Sequence, residues 1–217
     1  MTRSFDLVCF DLDGTLIQGT IFIWQTLHDA FATDPERRRR ARKDFHAGRI
    51  TYRQWFDHDL HMLGEAGATR ERMVTALDTI HPTPGAPETL TALREAGIHL
   101  AIISGSVDLV LDRFYPDAVF DEVLINRLDF DDAGRLVGGT HTDFDIDRKG
   151  EGVREIARRL GVEVARTAFV GDNYNDVSAA RAAGLSIAFN PRSDELTAAA
   201  DAVVTGDDFR GILPHLL

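Results

Sequence analysis

Two spacings of apolar residues organise this chain. Short apolar runs end in polar or glycine-rich clusters, and between them apolar residues recur every three to four positions. Phe5 to Phe10, broken only by Asp6, is the first run, and it leads into Asp11-Leu12-Asp13-Gly14-Thr15-Leu16. Its length and composition predict a buried strand. Runs over 98–103, 119–125, 167–170, 185–189 and 202–205 predict further strands. Asp131-Asp132-Ala133-Gly134, set between Leu128-Asp129-Phe130 and Leu136-Val137, predicts a hairpin turn. Helices are predicted over 86–95 up to Gly97, over 107–114, over 149–160 up to Gly161, and from the cluster at 171–176 to Ala183 before Gly184. Such alternation of strands and helices makes an α/β protein with a parallel sheet covered on both faces.

Residues 18–81 break the alternation. They hold no strand-like run bounded by turns, and helical spacing prevails: Ile21, Trp24, Leu27 and Phe31 are the first example. Asp34-Pro35 is a helix start with proline at the first helical position. Thr51 and Thr69 are suited to cap two more helices, one carrying Trp55, Leu60 and Leu63, the other Met73, Leu77 and Ile80. Four helices are therefore expected in an all-α insertion after the first strand. The expected organisation is a core of residues 1–17 and 82–217 with a helical domain at 18–81, ended by His81-Pro82-Thr83-Pro84-Gly85. Arg37 to Arg40, Arg42 and Lys43 wrap all sides of one predicted helix, which reads as a solvated face rather than a phosphate patch.

Charge narrows the classes of partner. With 24 Lys and Arg against 35 Asp and Glu, the formal net charge is −11, which disfavours general binding to nucleic acid or to an anionic membrane. No apolar stretch approaches the ~20 residues of a membrane span. No secretory signal is visible, and a cytoplasmic protein is expected, monomeric or homodimeric. The single cysteine, Cys9, lies in the first strand and reads as a packed core thiol.

Three polar clusters follow predicted core strands: Asp11 with Asp13, Ser104 with Gly105, and Asp172 with Asn175 and Asp176. Lys149 opens the helix before the last of these strands. Residues two apart on an extended chain point the same way, so Asp11 and Asp13 can face one pocket. In open parallel sheets, ligands bind beyond the carboxyl ends of the strands, which brings the clusters together. Four carboxylates, a hydroxyl, an amide and an ammonium suit Mg²⁺ with a phosphoryl group, because Mg²⁺ prefers few carboxylates, water and phosphate oxygens. Singly, each residue has a plainer reading: Asp172 and Asp176 as helix caps, Ser104 as a cap near Val107, and Lys149 as a surface lysine.

Taken together, Asp11-Leu12-Asp13-Gly14-Thr15, Ser104-Gly105, Lys149-Gly150 and Gly171-Asp172-Asn173-Tyr174-Asn175-Asp176 resemble the four motifs of a haloacid dehalogenase superfamily phosphatase with a helical cap of the first type. Asn126-Arg127-Leu128, Lys149-Gly150-Glu151 and Ala188-Phe189-Asn190-Pro191 resemble its phosphoserine phosphatase branch. The resemblance implies a Rossmann-like core of about five parallel strands, a cap inserted after the first motif, and a flexible joint over 14–19. It implies a Mg²⁺-dependent phosphomonoester hydrolase acting on a small phosphorylated metabolite through an aspartyl-phosphate. Asp11 resembles the nucleophile and Asp13 the general acid/base. Ser104, Gly105, Lys149 and Asn175 would hold the phosphate. Asp11, Asp13 (through its main-chain carbonyl) and Asp172 would bind the metal, with Asp176 acting through a metal-bound water or by orienting Lys149. Thr15 would fix an Asp carboxylate.

The resemblance also marks departures. Thr20 stands where the branch has a glutamate for the substrate ammonium, and Asp59 where it has an arginine for the carboxylate. These cap residues imply that phosphoserine is a poor substrate and that a cationic or hydroxyl-rich leaving group suits Asp59. His58, His61, Trp24 and Trp55 are nearby candidates for the pocket wall. A phosphotransferase or mutase would use the same nucleophile. A non-catalytic phosphate-binding regulator would have no use for Asp13, and a dehalogenase does without the second acid and the metal.

Overall fold

The computed structural model describes residues 4–116 and 120–217. Leu7–Phe10 forms β1, and the two-residue period of a strand sorts its side chains. Leu7 and Cys9 enter one apolar cluster, while Val8 and Phe10 enter the other. Cys9 is fully buried, and burial pushes its thiol pKa up, so it is the packed core residue expected.

After β1 the chain leaves through β2 (Ile17–Gln18) into four helices: α1 (Ile23–Ala30), α2 (Pro35–His46), α3 (Tyr52–Glu65) and α4 (Arg70–Ala76). Each predicted cap forms. The Asp34 carboxylate accepts from the N–H groups of Glu36 and Arg37, Thr51 and Gln54 make a reciprocal capping box, and the Thr69 hydroxyl accepts from Arg72 N–H. The chain returns through β3 (His81–Pro82), which pairs antiparallel with β2. This two-stranded ribbon escapes the apolar pattern because each strand is only two residues long.

The remainder alternates: α5 (Ala86–Glu95), β4 (His99–Val107), α6 (Asp108–Phe114), β5 (Glu122–Phe130), β6 (Leu136–Thr140), α7 (Lys149–Leu160), β7 (Thr167–Gly171), α8 (Val177–Ala180), β8 (Leu185–Phe189), α9 (Asp194–Ala199), β9 (Ala202–Val204) and α10 (Leu213–Leu216). The expected start of a strand at Val119 lies outside the described residues. The sheet order is β6-β5-β4-β1-β7-β8-β9, and every neighbouring pair is parallel except β5 with β6. One more parallel strand is present than the family resemblance implied. From β1 the chain builds outward to β4 and β5, then returns to place β7 on the other side of β1. The strand order thus reverses at β1 and β7, which is where an open α/β sheet forms its crevice.

Two local expectations change. The helix expected from Val107 starts one residue later, because β4 continues through Ser104-Gly105-Ser106 to Val107. Its pairing with β5 shifts register between Ile103 and Val107, which is a bulge within the strand. The long helix expected before Ala183 is a 3-10 turn, Tyr174–Asp176, followed by the single turn of α8. There the Asp176 carboxylate accepts from the N–H groups of Asp172 and Asn173, which holds the loop tight.

The cluster of Val8 and Phe10 also contains Ile23, Leu27, Phe56 and Leu63 of the helical insertion, so insertion and sheet share one continuous apolar interior. On the other face of the sheet, Ala101, Ile103 and Phe169 pack on Val153, Ile156 and Ala157 of α7. Among the described residues, no helix is long and apolar enough to cross a membrane.

Candidate active site

Asp11 directly follows β1, and its N–H donates to Val170 O of β7 at 2.9 Å. This bond seats its side chain at the crevice between the two strands. Gly14 then turns with φ +80°, and a Cβ there would lie 2.2 Å from Asp172 Oδ2. Only glycine allows both the backbone conformation and the approach of the Asp172 carboxylate.

Lys149, at the start of α7, is fully buried. Its Nζ donates to Asp11 Oδ1 and to Asp176 Oδ1, each at 2.7 Å. Burial pulls its pKa down, but Asp11, Asp176 and Asp145 push it up further, so the ammonium stays charged. Asp176 is thus spent on orienting Lys149 and on closing the 172–176 loop.

Asp13 accepts hydrogen bonds on both oxygens: from Ser106 Oγ at 2.8 Å and from Ile23 N–H at 2.7 Å, where α1 begins. Burial first, and then the neighbouring Asp11, raise its pKa to about 7 in spite of these bonds. A carboxyl group titrating near neutrality suits proton transfer in both directions. Ser106 is a residue the sequence reading missed; its place one turn of a bulge beyond Ser104 depends on the irregular strand. Thr15 departs from expectation in the opposite sense. Its buried hydroxyl has no hydrogen-bond partner, so it fixes no carboxylate here.

One carboxylate is left open. Neither oxygen of buried Asp172 accepts a hydrogen bond; Arg192 Nε makes an ion-pair contact with Oδ2 at 3.2 Å. Burial, then Asp176 and Asp11, raise its pKa well above the ordinary carboxylate range. Oxygens of Asp11, Asp172 and Asp176 all lie within 4.8 Å of one another. Buried carboxylates this close together, with both oxygens of Asp172 accepting no hydrogen bond, fit a hard divalent cation. Asn175 Oδ1 is also buried without a partner.

Above these groups is a cavity of about 300 Å³ lined by residues of core and insertion alike. Asp11, Asp13, Ser104, Gly105 and Asn175 are in its wall. Thr20 and Asp59 are not. Buried Thr20 accepts a hydrogen bond from Thr26 Oγ1 at 2.9 Å, and buried Asp59 lies 3.6 Å from His28 Nε2. The expectation of a cationic leaving group rested on Asp59 facing the substrate, and this placement gives it no support. Arg38 and Arg42 line the cavity instead, and Arg38 is only partly exposed, so the arginine run is not a uniformly solvated face.

The sequence model described as "Hydrolase: haloacid dehalogenase-like hydrolase" matches residues 5–184. The chain belongs to this family. Within the haloacid dehalogenase-like hydrolases it is similar to "Phosphoserine phosphatase" of Methanocaldococcus jannaschii, 29% identical over 220 residues with both chains covered in full. It is also 30% identical over 211 residues to "Phosphoserine phosphatase" of Archaeoglobus fulgidus, covering 97% of this chain and 59% of that one. A solved structure, "Substrate bound phosphoserine phosphatase complex structure", superposes with a TM-score of 0.78 at 28% identity, covering 98% of this chain and 99% of the other. This haloacid dehalogenase-like hydrolase is thus of the phosphoserine phosphatase-like kind, and its α/β fold is the one its motifs implied.

Proposed function

We propose that the chain hydrolyses a small phosphomonoester with Asp11 as nucleophile, under a helical cap formed by residues 18–81. The observation that carries this reading is the buried Lys149 shared by Asp11 and Asp176, beside the buried Asp172 carboxylate that accepts no hydrogen bond. Lys149 aims the Asp11 carboxylate through its hydrogen bond to Oδ1, and its charge offsets that of an incoming phosphoryl group. Asp11 attacks phosphorus, and the bond from phosphorus to the leaving oxygen breaks as the aspartyl-phosphate forms. Asp13 gives its proton to the departing alkoxide. It then takes a proton from the water that attacks phosphorus, which frees phosphate and restores Asp11. Ser104, Gly105 and Asn175 line the cavity, and in this reading they meet the phosphoryl oxygens. Mg²⁺ held by Asp11, Asp172 and the Asp13 carbonyl would supply the positive charge that lets an anionic nucleophile approach an anionic ester.

The test is a panel of phosphomonoesters with Mg²⁺ and with excess chelator. Turnover that persists in chelator would end the metal-dependent reading. Asp13→Asn should still take up phosphate from an activated ester, but release it at least ~10²-fold more slowly, the scale of general acid–base catalysis. Quench-flow detection of the phosphoprotein measures this; release at the wild-type rate removes Asp13 from the role of base.

Cation binding should also appear in stability, with a definite pH trend. The raised pKa values of Asp13 and Asp172 mean that the folded state keeps protons which the unfolded chain has lost. Their contribution to stability therefore falls as pH rises from the ordinary carboxylate range through neutrality. A cation would replace the proton on Asp172, and protons compete with it at low pH. The rise in Tm on adding Mg²⁺ should be larger at pH 8 than at pH 5.5. An equal rise at both, or none, contradicts the site.

A further inference from the structure

We propose that the leaving group of the substrate carries a second acidic group, met by Arg38 and Arg42, and a flat apolar body, met by Phe22, Trp24 and Trp55. This rests on the phosphomonoesterase reading above and names the substrate class of that site.

The basic run of α2 divides by helical position. Arg37 pairs with Glu65 and Arg39 with Glu36, both away from the catalytic cavity. Arg38 and Arg42, four residues apart and so on one face of the helix, both line it. They also border a second cavity of about 220 Å³ that Gln25 and Trp55 share. Arg38 donates through Nη1 to Gln25 Oε1, but its Nε is buried with no partner. Burial lowers its pKa and nearby Arg42 lowers it too, while Asp59 and Asp29 act the other way. No ion pair is formed by Arg42 among the described residues. Trp55 Nε1 is a second buried donor without a partner. Two unpartnered donors beside two like charges call for an acceptor that is also an anion, such as carboxylate or phosphate oxygens.

Phe22, Trp24, Trp55 and Tyr174 give the wall an aromatic side that is held in place, with Asp145 also in the wall. Trp24 Nε1 donates to Gly105 O at 2.8 Å, Trp55 stacks on Phe45 at 4.8 Å between centroids, and Phe22 meets Tyr174 edge to face at 6.3 Å. Rings fixed in this way offer a preformed slot for a planar or apolar body. Phosphoserine carries a carboxylate that Arg38 and Arg42 would meet, but its ammonium on the same carbon arrives with it as a like charge, and its short side chain would leave the rings uncovered.

The experiment compares kcat/KM, with Mg²⁺, for phenyl phosphate, 4-carboxyphenyl phosphate and 4-(aminomethyl)phenyl phosphate, with phosphoserine and glycerol phosphate as aliphatic references. In wild type, the carboxylate ester should exceed phenyl phosphate by about tenfold or more, the scale of one charged hydrogen bond. The aminomethyl ester should fall below phenyl phosphate. In Arg38→Gln/Arg42→Gln the carboxylate preference should be lost. Arg42 is exposed, so Arg42→Glu tests the same point in a variant whose core is untouched, and it should invert the order of the charged esters. Absence of a carboxylate preference in wild type, or its survival in Arg42→Glu, overturns the proposal. Turnover of aliphatic but not aromatic esters overturns it too, and leaves the phosphatase reading standing. Turnover of no ester at all overturns that reading and the proposal with it.

Discussion

Asp11→Asn should lose turnover by more than about 10³-fold while the protein stays folded. Losing a covalent nucleophile costs at least this order, because binding and electrostatic groups alone cannot replace the bond it forms. The amide is nearly isosteric, and its oxygen can still accept from Lys149 Nζ. Its nitrogen carries no charge and does not attack phosphorus. Stability without cation feels two opposed effects: the amide eases the crowding of Asp11, Asp172 and Asp176 oxygens within 4.8 Å, and it leaves buried Lys149 with Asp176 as its one remaining ionic partner among the described residues. The Mg²⁺-induced rise in Tm should shrink, because one carboxylate of the cation site is gone. Steady-state assays with thermal melts check both halves. Activity above a few per cent of wild type excludes Asp11 as nucleophile, and an undiminished Mg²⁺-induced rise in Tm excludes it as a cation ligand.

Lys149→Met should be the most damaging single change to the fold at this site. The side chain is fully buried, and its two hydrogen bonds at 2.7 Å are to carboxylates that are themselves buried. Removing one member of a buried ionic network typically costs about 3–5 kcal/mol, since the partners keep their desolvation cost without their attraction. Burial already raises the pKa of Asp176 and Lys149 lowers it, so loss of Lys149 pushes it up further in the folded variant. Its contribution to stability then falls as pH rises, so the Tm gap between wild type and variant should widen from pH 5 to pH 8. Activity should vanish throughout, because the attacking carboxylate and the phosphoryl group lose the positive charge between them. A gap of constant size across this range means that Lys149 acts by packing alone.

How much of this was legible beforehand follows from the range of the forces involved. Asp11 and Asp13 could be read because strand alternation and a glycine turn are local; they need only their neighbours in sequence. The cap helices of the insertion were legible for the same reason, since Asp34, Thr51 and Thr69 bond to N–H groups two or three residues on. Lys149 was readable as a motif residue, but its sharing between Asp11 and Asp176 spans 138 and 27 positions and appears only in the folded crevice.

Other features left no signal in the pattern. The bulge at 104–106 depends on how β4 pairs with β5, so Ser106 could not be assigned to Asp13. Thr15 follows the motif, yet the turn leaves its hydroxyl without a partner. Thr20 and Asp59 occupy positions where relatives of this branch were expected to read the substrate, but the packing of the insertion turns Asp59 toward His28.

By itself, then, the sequence determined the order of strands and helices, the inserted helices and the acids at the strand ends, because periodicity, capping and turn chemistry act within a few residues. Tertiary structure decided which of six basic residues on α2 face the catalytic cavity. That helix has almost no apolar stripe to set its rotation, with Ala41 its single buried residue. Contacts from elsewhere in the chain, Trp55 stacked on Phe45, Glu65 on Arg37 and Gln25 on Arg38, accompany an orientation that leaves Arg38 and Arg42 in the same cavity wall as Asp11 and Asp13.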